Sequence, residues 1–351
     1  MLQDNQKLMR KILHTILCLM FFSSIFSQAN KRIKVLFLGN SYTYVNNLPQ
    51  LIHDIALANG DTLVFDSNCP GGHTFNNHFN NATSISKINS QAWDNVILQA
   101  QSQEPSFSPA QVEAQTLPYA IKLDSIIQHN NDCTETVFYE TWGRKYGDAS
   151  NCGSYPPICT YLGMQDRLRA SYKLFADTTK SVMAPAGEAW RKSIALNPSL
   201  ELYSSDQSHP SLEGSYLTAC VFYEVLFHKS VLSNAYTAGV SSTNVSFLQQ
   251  IAHDVVNDSL STWNIGKYTP CVTTGLNQQS SKTNIVLYPN PSQNILYTNT
   301  NSSFKIYDVL GNLCLQGNKS EVINLECLKS GVYFIELYSS DSTKKIRFVK
   351  E

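Results

Sequence analysis

Charge is what this chain has least of. Asp, Glu, Lys and Arg make up 15% of its 351 residues, and they nearly cancel to a formal net charge of -1. A globular domain ordinarily carries about a quarter of its residues as charges. With no basic excess, the chain cannot recruit nucleic acid or an anionic membrane by charge alone. Neither a C-x-x-C nor an H-E-x-x-H pattern occurs, which leaves out the commonest zinc sites. No metal or cofactor is called for. Long apolar runs are also scarce. The one near the start, Ile12 to Phe26, is shorter than the ~20 residues that a bilayer demands, so no stable membrane span is expected.

That run follows Lys7, Arg10 and Lys11 and ends among Ser23, Ser24 and Ser27. A positive start, a short apolar stretch and small residues are the parts of a secretory signal peptide, here residues 1–27. An uncleaved anchor is the alternative. Of the nine cysteines, removal of Cys18 leaves eight. An even number in an exported chain favours disulfides over metal ligation. Cys152 and Cys159 flank a Gly/Pro-rich loop and suit a short ring. Cys314 and Cys327 suit a pair in the tail. The other pairings stay open.

Hydrophobic residues amount to 42%, enough for a sizeable core. Short apolar stretches read as strands at Ile33–Leu38, Thr62–Phe65, Val96–Leu98, Thr136–Tyr139 and Val182–Ala184. Helical patterns lie between and after them at Leu48–Asn59, Val112–Ile127 (with Pro118 as a kink or break), Gln165–Phe175, Glu188–Leu196 and Ser211–Phe227. Strands alternating with helices predict a parallel sheet covered on both faces, a three-layer α/β/α sandwich over residues 30–267. In such sheets the working residues stand in loops at the carboxyl ends of the strands. Residues 268–283 are rich in Thr, Ser, Gln and Asn and read as a linker. Residues 284–351 alternate in short β-like segments between turn signals such as Gly311-Asn312. They predict a small all-β sandwich of the immunoglobulin-like kind.

Three loops carry chemistry. Gly39-Asn40-Ser41 ends the first strand and offers a serine hydroxyl at the mouth of the sheet. Asp206-Gln207-Ser208-His209-Pro210 precedes the helix at Ser211–Phe227. An Asp three residues before a His can fold back onto its ring, fix the tautomer and leave the other nitrogen as a base. Pro70-Gly71-Gly72-His73 follows the second strand, and its glycines free backbone N–H groups to face a developing oxyanion. Each motif alone has a bland reading: a helix cap, a capped turn, a Gly-Gly turn.

Together, in this order, they resemble the SGNH (GDSL-like) hydrolases, a family of esterases, lipases and carbohydrate deacetylases built as α/β/α sandwiches. The resemblance covers about Lys31 to Trp263. It implies Ser41 as nucleophile, His209 as base and Asp206 as its partner, with the Ser41 and Gly72 N–H groups as oxyanion donors. The family carries G-x-N-D after the next strand. Here Gln99-Ala100-Gln101-Ser102 stands instead, with Gln101 where the Asn donor would be and Gln99 where the Gly would be. Gln offers the same amide on a longer stem. Asn40, Gln99 and Trp142 are further candidates for binding substrate, the Trp by stacking on a sugar; core packing is the competing assignment for Trp142. Tyr288-Pro289-Asn290-Pro291, Ile306-Tyr307-Asp308 and Leu328-Lys329-Ser330-Gly331-Val332-Tyr333 resemble the type A sorting domain of the type IX secretion system.

The expectation is a secreted or cell-surface serine esterase that reaches its place through the periplasm. Its substrate would be an ester such as an acetylated polysaccharide, and its partner the type IX secretion machinery. Two other classes are open: a carbohydrate-binding protein on a decayed scaffold, and a lipase or thioesterase, which would need a long apolar groove.

Overall fold

A computed structural model describes residues 29–268, 287–338 and 343–351. The expected signal peptide lies outside these residues, as does nearly all of the expected linker. The chain divides into two compact units at Val272. Among the described residues, no helix is long and apolar enough to cross a membrane.

The first unit is an α/β/α sandwich. Its five strands are β1 (Arg32–Leu38), β2 (Thr62–Asn68), β3 (Asn95–Leu98), β4 (Glu135–Tyr139) and β5 (Val182–Ala184), in the order β2-β1-β3-β4-β5 and all parallel. Val35 to Leu38, all of β3 and all of β5 are buried, as a sheet covered on both faces requires. One set of helices gathers on Leu212–Phe227, against which Leu48–Ala58, Ala186–Leu196 and Ser242–Asn257 pack. That helix is buried at every position from Gly214 to Phe227, so it is covered all round, with the polar Thr218 and Glu224 among its buried residues. The other set joins Leu117–Asn130 to Phe75–Phe79 and Tyr161–Thr179.

The strand and helix expectations hold to within a few residues, with three differences. The break at Pro118 is a π-helical stretch, Val112–Thr116, that runs into Leu117–Asn130 with the proline near its start. The short helices Phe75–Phe79 and Ala82–Ile88 stand where only a loop was expected. They are held by Thr74 capping Asn77 N and Asn81 capping Ser84 N. Ser242–Asn257 lies beyond the helix expected to be last, with Val245, Leu248, Ile251, Ala252 and Val256 buried at helical spacing.

The second unit is antiparallel β: β6 (Leu287–Tyr288), β7 (Ile295–Tyr307), β8 (Leu313–Asn324), β9 (Gly331–Tyr338) and β10 (Thr343–Lys350). The long β7 pairs with β8 along one side. On its other side it pairs first with β6 and then with β9. One hydrogen-bonded set thus wraps, barrel-like, around Leu296, Ile306, Ile323, Ile335, Leu337 and Phe348. The disulfide Cys152–Cys159 forms as expected. The pairing of Cys314 with Cys327 is corrected: both are free, exposed thiols, and Cys69 and Cys220 are free as well.

Candidate active site

The strand order reverses at β1, which has β2 on one side and β3 on the other. The crevice beyond the carboxyl ends of β1 and β3 is where such sheets hold their ligands. Both loops with unusual chemistry open there. Leu38 pairs with Leu98, so Gly39-Asn40-Ser41 and Gln99-Ala100-Gln101 leave the sheet side by side. Gly39 has to be glycine: a Cβ there would lie 2.4 Å from Thr43 Oγ1 and 2.7 Å from Gln99 Oε1. Its carbonyl accepts from His78 Nε2 at 2.9 Å, and His78 Nδ1 meets Ser84 Oγ at 2.8 Å. Burial pushes the His78 ring down to about 4, so it is neutral at pH 7 and serves as a strut.

Ser41 opens a one-turn helix, Ser41–Tyr44. Its Oγ is 2.8 Å from His209 Nε2, across 168 residues of sequence. His209 Nδ1 is hydrogen-bonded to Asp206 Oδ2. Asp206 Oδ1 accepts from Ser204 Oγ at 2.8 Å, Ser208 N at 3.0 Å and His209 N at 2.9 Å. Burial alone would raise the Asp206 carboxyl, but the bonds from His209, Ser204 and Ser208 hold it well below the usual carboxylate range. Asp206 is therefore an anion aimed at Nδ1, and Nε2 is left to accept a proton from Ser41. The turn closes through Ser204 N to His209 O at 2.8 Å and a bridge between Tyr203 and Pro210. Ser211 then caps the buried helix Leu212–Phe227, fixing the turn to the core.

The glycine loop turns through His73 N to Pro70 O at 3.2 Å, and Gly72 has φ of +69°. That angle favours glycine, and Gly72 is exposed with nothing near its missing Cβ. Asn40 fixes this loop and the glutamine loop to the serine. Its Nδ2 donates to His73 O at 3.0 Å and to Ala100 O at 3.2 Å, while its Oδ1 accepts from Tyr42 N at 3.1 Å.

Three residues expected to bind substrate are turned inward. Asn40 is buried and fully engaged, as just described. Gln99 is buried, its Oε1 accepting from Asn40 N at 2.9 Å and Thr43 Oγ1 at 3.1 Å. Trp142 is buried between Tyr42 and Trp190, with ring centroids 4.9 and 3.8 Å away, so neither face is open to a sugar. Gln101 is first of all a turn cap. Its Oε1 accepts from Gln103 N at 2.7 Å and Glu104 N at 3.0 Å, and its Nε2 donates to Gln103 Oε1 at 3.0 Å. Only the second amide hydrogen is left for a substrate oxygen. Gln103 in turn donates to Asp148 Oδ2 at 2.8 Å, in the loop that Cys152–Cys159 ties.

Comparison with known proteins separates the two units. Residues 286–351 match the family described as Secretion system C-terminal sorting domain. No curated protein matches the chain. Among solved structures, a DUF4886 family protein from Bacteroides uniformis is similar with a TM-score of 0.55 and 20% identity, over 65% of this chain and 96% of its own. A putative SGNH hydrolase from Slackia heliotrinireducens gives 0.46 and 24%, over 55% of this chain and 98% of its own. An acetylxylan esterase from Geobacillus stearothermophilus gives 0.40 and 14%, over 61% and 99%. The α/β unit thus shares its fold with the DUF4886 family protein, and the tail from residue 286 matches the secretion sorting family.

Proposed function

We propose that this protein is a secreted serine esterase that works through an acyl-enzyme, with Ser41 as nucleophile, His209 as base and Asp206 as its orienting anion. The observation that carries the reading is the unbroken line from Ser41 Oγ through His209 to Asp206. Ser41 attacks the ester carbonyl as His209 Nε2 takes its proton. The oxyanion meets the N–H groups of Ser41 and Gly72. His209 returns the proton to the departing alkoxide. Water, deprotonated by the same ring, then releases the acid and restores Ser41.

The finer part of the proposal is deacetylation of a carbohydrate. Its support is the openness of the site: the His209 and Asp206 side chains are 34% and 48% exposed. A site whose base and anion face water suits a small acyl group on a large polar substrate better than a long acyl chain. Stacking by Trp142 no longer supports it. A binding protein on a decayed scaffold is favoured only by the inward turn of Gln101, and an intact triad weighs against it. Export by the type IX machinery to the cell surface or beyond is the reading of the tail.

The test is p-nitrophenyl acetate hydrolysis by the full chain, followed by acetate release from acetylated xylan. Ser41→Ala should lower kcat by roughly a thousandfold or more. Equal rates in the two proteins would remove Ser41 from the mechanism.

A further inference from the structure

Tyr42 follows the proposed nucleophile and is buried. Its ring lies flat on Trp142, with centroids 4.9 Å apart and planes 7° apart. Trp142 lies flat on Trp190, 3.8 Å away at 4°. Tyr42 also meets the His209 imidazole edge to face, at 5.4 Å and 68°. Its hydroxyl is hydrogen-bonded to Ser208 Oγ at 2.7 Å, and Trp142 Nε1 donates to the Ser208 carbonyl at 3.0 Å. Ser208 is therefore held at both its side chain and its carbonyl. It is also the residue whose backbone leads directly into His209.

The triad turn needs such a hold. It faces water, and Gln207 within it has φ of +63°, a left-handed conformation that a non-glycine residue adopts at a cost. Exposed turns of this kind belong to the less stable parts of a fold. A catalytic group displaced by about 1 Å loses of order a hundredfold in rate.

We infer that Tyr42 is a positioning residue: through Ser208 its hydroxyl sets the place of His209 relative to Ser41. The inference rests on the acyl-enzyme reading and deepens it. The residue beside the nucleophile thus reaches across to the segment that carries the base, and both halves of the site are referred to one ring. Burial pushes the Tyr42 hydroxyl up, so it stays protonated through neutral pH. A purely packing role would depend on the ring alone, which Tyr42→Phe keeps.

The experiment compares the full-length wild type with Tyr42→Phe, Ser208→Ala and the double variant on p-nitrophenyl acetate. Loss of one hydrogen bond at this point should lower kcat about five- to tenfold in each single variant, with KM within about twofold. The double variant should be no slower than either single one, because both remove the same bond. Wild-type kcat in Tyr42→Phe, or losses that multiply in the double variant, would overturn the inference. A second readout is the ¹⁵N spectrum of the His209 ring, assigned by its loss in His209→Gln. Its Nδ1 and Nε2 resonances should move in Tyr42→Phe, and unchanged resonances would likewise overturn the inference. If the wild type neither hydrolyses esters nor reacts with a fluorophosphonate, the acyl-enzyme reading fails by itself, and the ¹⁵N spectrum decides on Tyr42.

Discussion

Both polar ends of the Asn40 amide are committed to the protein, holding the glycine loop and the glutamine loop against the start of the serine helix. Asn40→Ala leaves the carbonyls of His73 and Ala100 without that donor. Ala100 O keeps Gln99 Nε2 as a donor, but the half-buried His73 carbonyl loses the Asn40 amide, and a buried group so abandoned costs about 1–3 kcal/mol. The full chain should lose stability on that scale in a urea titration, and kcat should fall because the Gly72 N–H shifts relative to Ser41. An unchanged midpoint and rate would show that the loops keep their places without it. At this scale the sequence was legible where chemistry dictates residue type. An Asp three residues before a His reads as folding back onto its ring, and Asp206 and His209 do so, with Ser41 brought up to the other ring nitrogen. Direction was not legible. Asn40, Gln99 and Trp142 flank the working loops in sequence, yet folding turns all three inward, and position along a chain does not say which way a side chain faces. The roles of Tyr42 and His78 were not legible for the same reason: their partners, Ser208 and Gly39, are distant in sequence.

Elements place these residues by how closely they pack. The helix Leu212–Phe227 approaches the strand-like segment before the triad turn at Gly214, where a Cβ would lie 2.3 Å from Leu202 O and 2.5 Å from Trp190 Cζ2. Neither neighbour has room to withdraw: Leu202 O accepts Ser211 N at 2.8 Å, and Trp190 is stacked on Trp142. Gly214→Ala should therefore destabilise by about 1–3 kcal/mol, the usual cost of overpacking. It should also lower kcat, because the helix start and the His209 turn move together. A melting temperature equal to that of the wild type would refute this account of the contact. The apolar strands β1, β3 and β5 could be read from sequence because a strand covered on both faces leaves a continuous run. β8 could not. It is mostly exposed and built from residues such as Asn312's neighbours Leu313 and Cys314 followed by Gln316, Gly317, Asn318 and Lys319, and its pairing with β7 supplies the order that its composition does not. Ser242–Asn257 did carry a helical pattern.

Across the whole molecule, a domain with the proposed chemistry is joined to one matched to a sorting family. Deleting residues 284–351 should leave the protein in the periplasm with its esterase activity intact. Fractionation followed by the p-nitrophenyl acetate assay measures both. Surface delivery without the tail would refute the sorting role, and loss of activity would mean that the α/β domain needs the tail to fold. The division into an α/β part and a β part was legible from the change in periodicity near residue 284. The barrel-like closure was not, because it depends on β7 changing partners midway along its length.

The bond between Ser41 and His209 spans 168 residues. Chains are made from the amino terminus, and β1, with its serine, is among the first parts synthesised. Until the turn at His209 has been made and docked, no base faces the hydroxyl. Throughout that interval Ser41 has the reactivity of any alcohol. On the proposed mechanism the order of synthesis therefore acts as a timer, because Ser41 would gain its base only once the last strand of the parallel sheet and the turn beyond it are in place.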